Sequence, residues 1–224
     1  MCGRFTLTVD PAELQDAFGD YIFPDQFAPR FNIAPSQPVL AIPNNGKNTA
    51  DFFMWGLIPS WSKDPSIANK LINARGETIA EKPSFRGGFK YKRCLILTDG
   101  FYEWKAVQGE KTKTPYFIHM KDRKPFAFAG LWDEWQSPDG GALRTCTIIT
   151  TDAAPGLERL HRRMPVMLRA EDFARWLDVG VPPKELTDLY RARLPGVDLL
   201  PPRGPRGSVA PRNVRSGARQ QFGF

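Results

Sequence analysis

Residues 93–105, RCLILTDGFYEWK, decide the fold: they are dense in aliphatic and aromatic side chains and carry no helical spacing. Three runs of the same character follow at 114–121 (TPYFIHMK), 125–135 (PFAFAGLWDEW) and 144–151 (RTCTIITT), separated by charged or glycine-containing turns. Four strand candidates of this length and spacing suit an antiparallel or barrel-like sheet.

Upstream, Val39–Ile42 and Thr49–Met54 read as strands flanking an Asn44-Asn45-Gly46 turn. Residues 11–18 (PAELQDAF) read as a helix, with Asp10 as N-cap, Pro11 in the first turn and Gly19 after the end. The proline-punctuated stretch 24–38 reads as irregular, 55–65 as an ordered loop and 73–82 as a helix. Downstream, 156–161, 171–177 and 183–190 read as short helices. No repeat or linker divides the chain before its tail. The expectation is one α+β domain over 1–200 with a mostly antiparallel, barrel-like β core and peripheral short helices. A basic Pro/Gly/Arg-rich segment over 201–224 completes it.

The 224 residues are 42% hydrophobic and 25% charged, the balance of a globular chain able to bury roughly 70% of its unfolded surface. No apolar run approaches the ~18 residues needed to span a bilayer, and no secretory signal opens the chain. The expected compartment is the cytoplasm, with no membrane partner. Three cysteines (Cys2, Cys94, Cys146) and two histidines (His119, His161) show no metal-ligand spacing, so no metal is expected. Neither a phosphate-cradling loop nor a dinucleotide glycine fingerprint occurs, so no nucleotide cofactor is expected. Seven arginines against Asp198 between 191 and 224 supply +6 of the net charge of +7. Such a tail is either a solvated end that aids solubility or an electrostatic contact with a polyanion such as nucleic acid.

Cys2 stands out by position. Initiator Met is commonly removed before cysteine, and removal leaves a thiol and a free α-amine on adjacent carbons. Their reference pKa values, about 8.5 and about 7.7–8.0, make both partly nucleophilic near neutrality. An aldehyde would condense with the amine to an imine that the thiol closes into a thiazolidine; an acyl centre would instead be attacked by the thiol. The alternative is an ordinary buried thiol, which is also the reading of Cys94 and Cys146 inside their strands. His161 is either a helix C-cap or a general acid–base, whereas His119 in its strand reads as packed or surface. Glu103, between aromatics, is either a solvated strand residue or a carboxyl whose pKa desolvation raises into a useful range. Asn73 is either an N-cap or an amide that holds a reacting atom.

Six blocks occur together in order: Met1-Cys2-Gly3-Arg4-Phe5, Phe31-Asn32-Ile33-Ala34-Pro35, Trp55-Gly56-Leu57-Ile58-Pro59-Ser60-Trp61, Asn73-Ala74-Arg75-Gly76-Glu77-Thr78, Asp99-Gly100-Phe101-Tyr102-Glu103-Trp104 and His161-Arg162-Arg163-Met164-Pro165. With them the chain resembles the SRAP proteins, the SOS response-associated peptidase or abasic-site processing family, from Cys2 to about Pro165. Toward the C-terminus only 209–214 resembles the family's closing strand.

The resemblance implies covalent capture of abasic sites in single-stranded DNA, by a monomer associated with the nucleoid when bound, with lyase-type chemistry. Cys2 would supply amine and thiol, Asn73 would orient the reacting groups, Glu103 would shuttle protons and His161 would assist opening of the sugar ring. Arg4, Arg75 and Arg163 would lie near the DNA backbone, a role that suits guanidinium–phosphate pairing. Pro35, Trp61 and Thr150 would pack against bases beside the lesion. Two other classes compete: a thiol (auto)peptidase using Cys2 and His161, and a non-catalytic single-strand binder whose salt-sensitive binding would survive Cys2→Ser.

Overall fold

The computed structural model describes residues 2–106, 109 and 111–190, and the backbone alone of 197–200. Thirteen strands and three α-helices run in the order β1 (Phe5–Leu7), α1 (Pro11–Phe18), β2 (Arg30–Ile33), β3 (Pro38–Pro43), β4 (Asp51–Trp55), β5 (Asn73–Arg75), α2 (Pro83–Tyr91) and β6 (Arg93–Thr98) among the described residues. They continue with β7 (Gly100–Lys105), β8 (Thr114–Met120), β9 (Phe126–Gln136), β10 (Ala142–Asp152), β11 (Arg163–Pro165), β12 (Met167–Leu168), α3 (Phe173–Leu177) and β13 (Val197–Leu200).

Five strands close on themselves. β3 pairs antiparallel with β4 and β6, β6 with β9, and β9 with β10, while β10 returns to β4 in parallel through Thr145 opposite Met54. Closure removes the free edges of these strands. A second, antiparallel sheet in the order β13–β8–β7–β1–β2 lies beside this barrel. Phe5 of β1 joins the two: its ring meets Trp55 edge-on at 5.1 Å and Phe128 at 5.8 Å. Aromatic edge contacts of this kind add to the burial of the ring itself. The start of the chain is thereby anchored three residues after Cys2.

The expected single strand over 93–105 is two strands in two sheets, and Asp99 makes the break. Its carboxylate accepts from the Thr6 hydroxyl, the Thr8 hydroxyl and, at 2.7 Å, the Thr8 backbone N–H. Its own N–H donates to the Thr6 carbonyl oxygen at 3.2 Å. Gly100 must follow, because a Cβ there would stand 2.2 Å from Phe117 Cζ and 3.0 Å from the Ile118 carbonyl oxygen. Gly100→Ala is expected to cost about 2 kcal/mol by overpacking, lowering Tm by ~4–8 °C. An unchanged thermal midpoint would show that the two sheets can separate freely at this point.

Several expectations hold. α1 begins with a capping box in which Asp10 accepts from Glu13 N–H at 2.9 Å and Glu13 accepts from Asp10 N–H at 3.0 Å. It ends at Gly19 with φ 59°. The hairpin over 38–55 forms with Val39 opposite Phe53. The helix expected over 73–82 does not form. Asn73–Arg75 is instead β5, paired in parallel with Ile148–Thr150 of β10, because a ladder partner outweighs a weak helical pattern. A strand, β2, occupies part of the stretch read as irregular. Turns replace the helix expected over 156–161, with Leu160 N–H donating to the Leu157 carbonyl at 2.8 Å. The segment 201–224, with the closing strand expected at 209–214, lies outside the described residues.

α2 is unforeseen, since its Gly87-Gly88 pair disfavours a helix. Tertiary capping stabilises it. The carbonyls of its last four residues all find donors: Gly88 from Lys92 N–H (2.7 Å), Phe89 and Lys90 from the Arg93 guanidinium (2.8 and 3.4 Å) and Tyr91 from Asn44 Nδ2 (3.1 Å).

Candidate active site

Cys2 is fully buried, in the short stretch of chain before β1. Its carbonyl oxygen accepts from Asn73 Nδ2 at 2.9 Å, and its Sγ faces the Arg4 carbonyl oxygen at 4.0 Å. β5 brings Asn73 there, since pairing of β5 with β10 fixes the strand on which the amide sits. Asn73 Oδ1 is buried with no hydrogen-bond partner among the described residues. A buried acceptor left open in this way costs free energy unless a donor arrives.

Glu103 comes from β7, which pairs with β1 through Phe101 opposite Phe5, so the ladder sets the carboxyl beside the chain start. It is 5% exposed. Burial pushes its carboxyl above the usual range, with the positive charges of the amino terminus and of His161 acting against that rise. Burial, aided by the nearby Glu103 charge, also pushes the Cys2 thiol far above its ordinary value. Glu103 and His161 line the same narrow cavity with Phe101, Ile118 and Leu160. His161 Nδ1 lies 3.0 Å from the Arg163 backbone nitrogen and 3.1 Å from the Arg163 carbonyl oxygen, contacts that orient the ring. Four residues from distant parts of the chain thus meet at one place.

Arg163 is 8% exposed, and both of its Nη atoms are occupied while Nε has no partner among the described residues. It grips both carboxylate oxygens of Glu77 (2.8 and 2.9 Å), reaches Asp152 at 2.9 Å and donates to the Thr150 carbonyl at 2.6 Å. Burial pushes the Glu77 carboxyl up, but the Arg163 bonds and charge outweigh it and hold the group below the usual carboxylate range. Thr150 is fully buried, its hydroxyl donating to the Ala74 carbonyl at 3.3 Å. In this conformation Arg163 and Thr150 brace the turn that carries His161. A phosphate would have to compete with Glu77 and Asp152 for Arg163.

The other expected DNA contacts lie at the surface. Arg75 is exposed, Pro35 is half-buried in a turn and Trp61 is 60% exposed. Arg4 is held at 2.9 Å by Asn32 Oδ1, on the edge strand β2. Sequence reasoning missed Glu77 and Asn32 as partners of these arginines, although both lie inside the quoted motif blocks. It also passed over Phe31, which at 67% exposure is an aromatic left in water beside Asn32 and Arg4.

The family model described as SOS response associated peptidase (SRAP) matches residues 1–199. The chain belongs to the SRAP family. Abasic site processing protein YoqW of Bacillus subtilis is 48% identical over 181 residues, covering 80% of each chain. Abasic site processing protein HMCES of Rattus norvegicus is 35% identical over 195 residues, covering 70% of this chain and 55% of its own. The crystal structure of a Bacteroides thetaiotaomicron protein aligns with TM-score 0.79 at 27% identity, over 91% of this chain and 93% of that one. A phage-related protein from Bordetella bronchiseptica aligns with TM-score 0.72 at 30% identity, over 92% and 97%. The SRAP domain is a single α+β unit with a barrel-like β core. No described helix is long and apolar enough to cross a membrane.

Proposed function

We propose that this protein senses abasic sites in single-stranded DNA and binds them covalently through Cys2, acting as a monomer. The observation that carries the reading is the meeting of buried Cys2 and Glu103 with half-buried Asn73 and His161 at one place. The relatives named as abasic site processing proteins support it.

Removal of Met1 frees the Cys2 amine. His161, in its imidazolium form, gives its Nε2 proton to the sugar ring oxygen while the C1′ hydroxyl loses its proton to water, and the ring opens to the C1′ aldehyde. The amine attacks C1′ to give a carbinolamine, and Glu103, its carboxyl pushed up by burial, donates to the departing hydroxyl and takes back the proton released from nitrogen. One water leaves and an imine remains. The Cys2 sulfur then bonds to C1′ while its proton passes to the imine nitrogen, which closes the thiazolidine. Asn73 holds the Cys2 carbonyl throughout, and its open Oδ1 accepts an N–H of the amine. Before ring closure the protonated imine can lose a C2′ proton to the Glu103 carboxylate and expel the 3′ phosphate as the C2′=C3′ bond forms, the lyase-type branch. Arg4 and Arg75 hold the phosphates, joined by Arg163 where a phosphate displaces Glu77 or Asp152, while Pro35 and Trp61 line the flanking bases above the buried Thr150.

The description of the family as a peptidase supplies a second reading, with Cys2 as acyl nucleophile. A thiol peptidase needs a thiolate near neutrality, and burial holds this thiol in the opposite state. Amine-first capture of an aldehyde fits that state.

Glu103→Gln tests the proton transfer. Adduct formation with an oligonucleotide carrying one abasic site should slow about a hundredfold. The wild-type rate should fall as pH rises through the raised Glu103 pKa, and that limb should vanish in the variant. The same shift governs stability. A carboxyl raised on folding contributes stability below its unfolded pKa of ~4.3 that is lost as pH rises through the folded value. Glu103→Gln should therefore raise Tm at pH 8 relative to wild type and not at pH 4. An unchanged rate and pH profile would remove Glu103 from the chemistry.

A further inference from the structure

The loop after β4 leaves the active site and ends at Trp61, beside a face of α2 to which the capture chemistry assigns no role. Its first residues are tied to the segment bearing Asn73: the Trp55 indole N–H donates to the Ile72 carbonyl at 2.8 Å, and Leu57 N–H to the Leu71 carbonyl at 3.2 Å. Its end, Pro59 to Trp61, forms one wall of an open groove whose other wall is α2, with Arg86, Tyr91 and Lys92. At most ~20 Å of extended chain separates Trp55 from Trp61.

Two large aromatics stand in water on this groove, Trp61 at 60% and Tyr91 at 57% exposure. Exposed aromatics gathered in one depression and rimmed by charge mark a binding surface. The charge is positive. α2 contains no acid, and its Arg86 and Lys90 are four residues apart on one exposed face. Lys90 Nζ lies 4.9 Å from the Tyr91 ring centroid. The acid in the groove wall, Asp133, is already bound: Lys92 Nζ reaches one oxygen at 2.6 Å and the Ser60 N–H donates to the other at 2.8 Å. Its charge is offset before any ligand arrives. Gly87 leaves the helix face open, with no atom within 4 Å of where its Cβ would be.

We propose that this α2 face is a stacking track for undamaged nucleotides of the same single strand, flanking the captured site. Planar rings interleaved with cations match the alternation of base and phosphate. Trp61 connects the track with the active site. The inference rests on the proposed capture of abasic DNA and adds a determinant of strand length to it. An acidic peptide would use the cations but not two stacking rings.

The test compares wild type with the double variant Arg86→Ala/Tyr91→Ala. Both side chains are exposed, and an unchanged Tm would establish that the fold is kept. Fluorescence anisotropy on an undamaged 20-nucleotide strand should weaken by about tenfold or more. The dependence of log K on log salt should become shallower by ~0.7, for the one phosphate that Arg86 neutralises. Crosslinking of an oligonucleotide with only two nucleotides on each side of the abasic site should proceed at the wild-type rate. Equal affinity and salt slope on the long strand would overturn the track, as would an equal loss on long and short strands. Failure of wild type to crosslink either oligonucleotide would instead overturn the capture reading, leaving the anisotropy comparison to decide the track.

Discussion

Cys2→Ser is expected to keep its fold and to lose the heat-stable DNA adduct. Serine keeps the α-amine, so the imine still forms and sodium borohydride still traps it. The hydroxyl is a far weaker nucleophile than a thiol, and the final ring bond to C1′ is not made. The yield surviving heat without reductant should fall by about a hundredfold or more. The site predicts little structural damage, because the buried Sγ has only a long contact with the Arg4 carbonyl, at 4.0 Å. A shorter hydroxyl replaces a weak donor in a place already lined by a carbonyl oxygen. Retained heat-stable adduct in Cys2→Ser would move the covalent bond to another nucleophile and leave Cys2 with a packing role.

The largest expected effect on stability is at Arg93, far from the chemistry. Arg93 is fully buried, and its guanidinium is held by carbonyl oxygens: Nε donates to the Trp176 carbonyl at 2.6 Å, Nη1 to the Phe89 carbonyl at 2.8 Å and Nη2 to the Asp178 carbonyl. The guanidinium also stacks 5.8 Å from the Trp176 ring centroid. One side chain thus closes the C-terminal ends of both α2 and α3 against β6. Arg93→Met keeps much of the volume but leaves these carbonyls buried without donors. The expected cost is about 3 kcal/mol, a fall in Tm of ~6–12 °C for a chain of this size. Arg93→Lys should recover part of it, since an ammonium has charge but lacks the planar fork. Unchanged melting in Arg93→Met would mean that water or neighbouring donors replace the guanidinium. Because Arg93 caps α2, its removal should also weaken binding to long single strands.

Local signals are legible where local physics decides. The Asp10–Glu13 capping box and Gly19 announce α1, and the Asn44-Asn45-Gly46 turn announces the β3–β4 hairpin. The β-rich runs after residue 93 announce the barrel. Legibility fails where a distant partner decides. β5 has a helical pattern and is a strand only because β10 lies beside it. α2 has two adjacent glycines and is a helix because Arg93 and Asn44 cap it from outside. The break at Asp99 depends on Thr6 and Thr8, more than 90 positions earlier.

The site divides in the same way. Cys2, Asn73, Glu103 and His161 are each ambiguous alone and become a set through the ordered motif blocks. Burial of Cys2 and Glu103 is in the sequence only one of two readings, and the fold decides for it: burial raises the Glu103 carboxyl and pushes the Cys2 thiol up. Arg163 reads in the sequence as a surface cation for phosphate. Only the fold reveals Glu77 and Asp152 already on its guanidinium, and its backbone against the His161 ring.

The most direct test of covalent capture is the intact mass of the product. Protein whose measured mass proves that Met1 is absent would be mixed with a single-stranded oligonucleotide carrying one abasic site, then heated without reductant. The account predicts a product at the summed masses of protein and oligonucleotide less one water. Protein retaining Met1 should give none, because its Cys2 nitrogen is an amide. Absence of the product from the Met1-free protein would contradict the account.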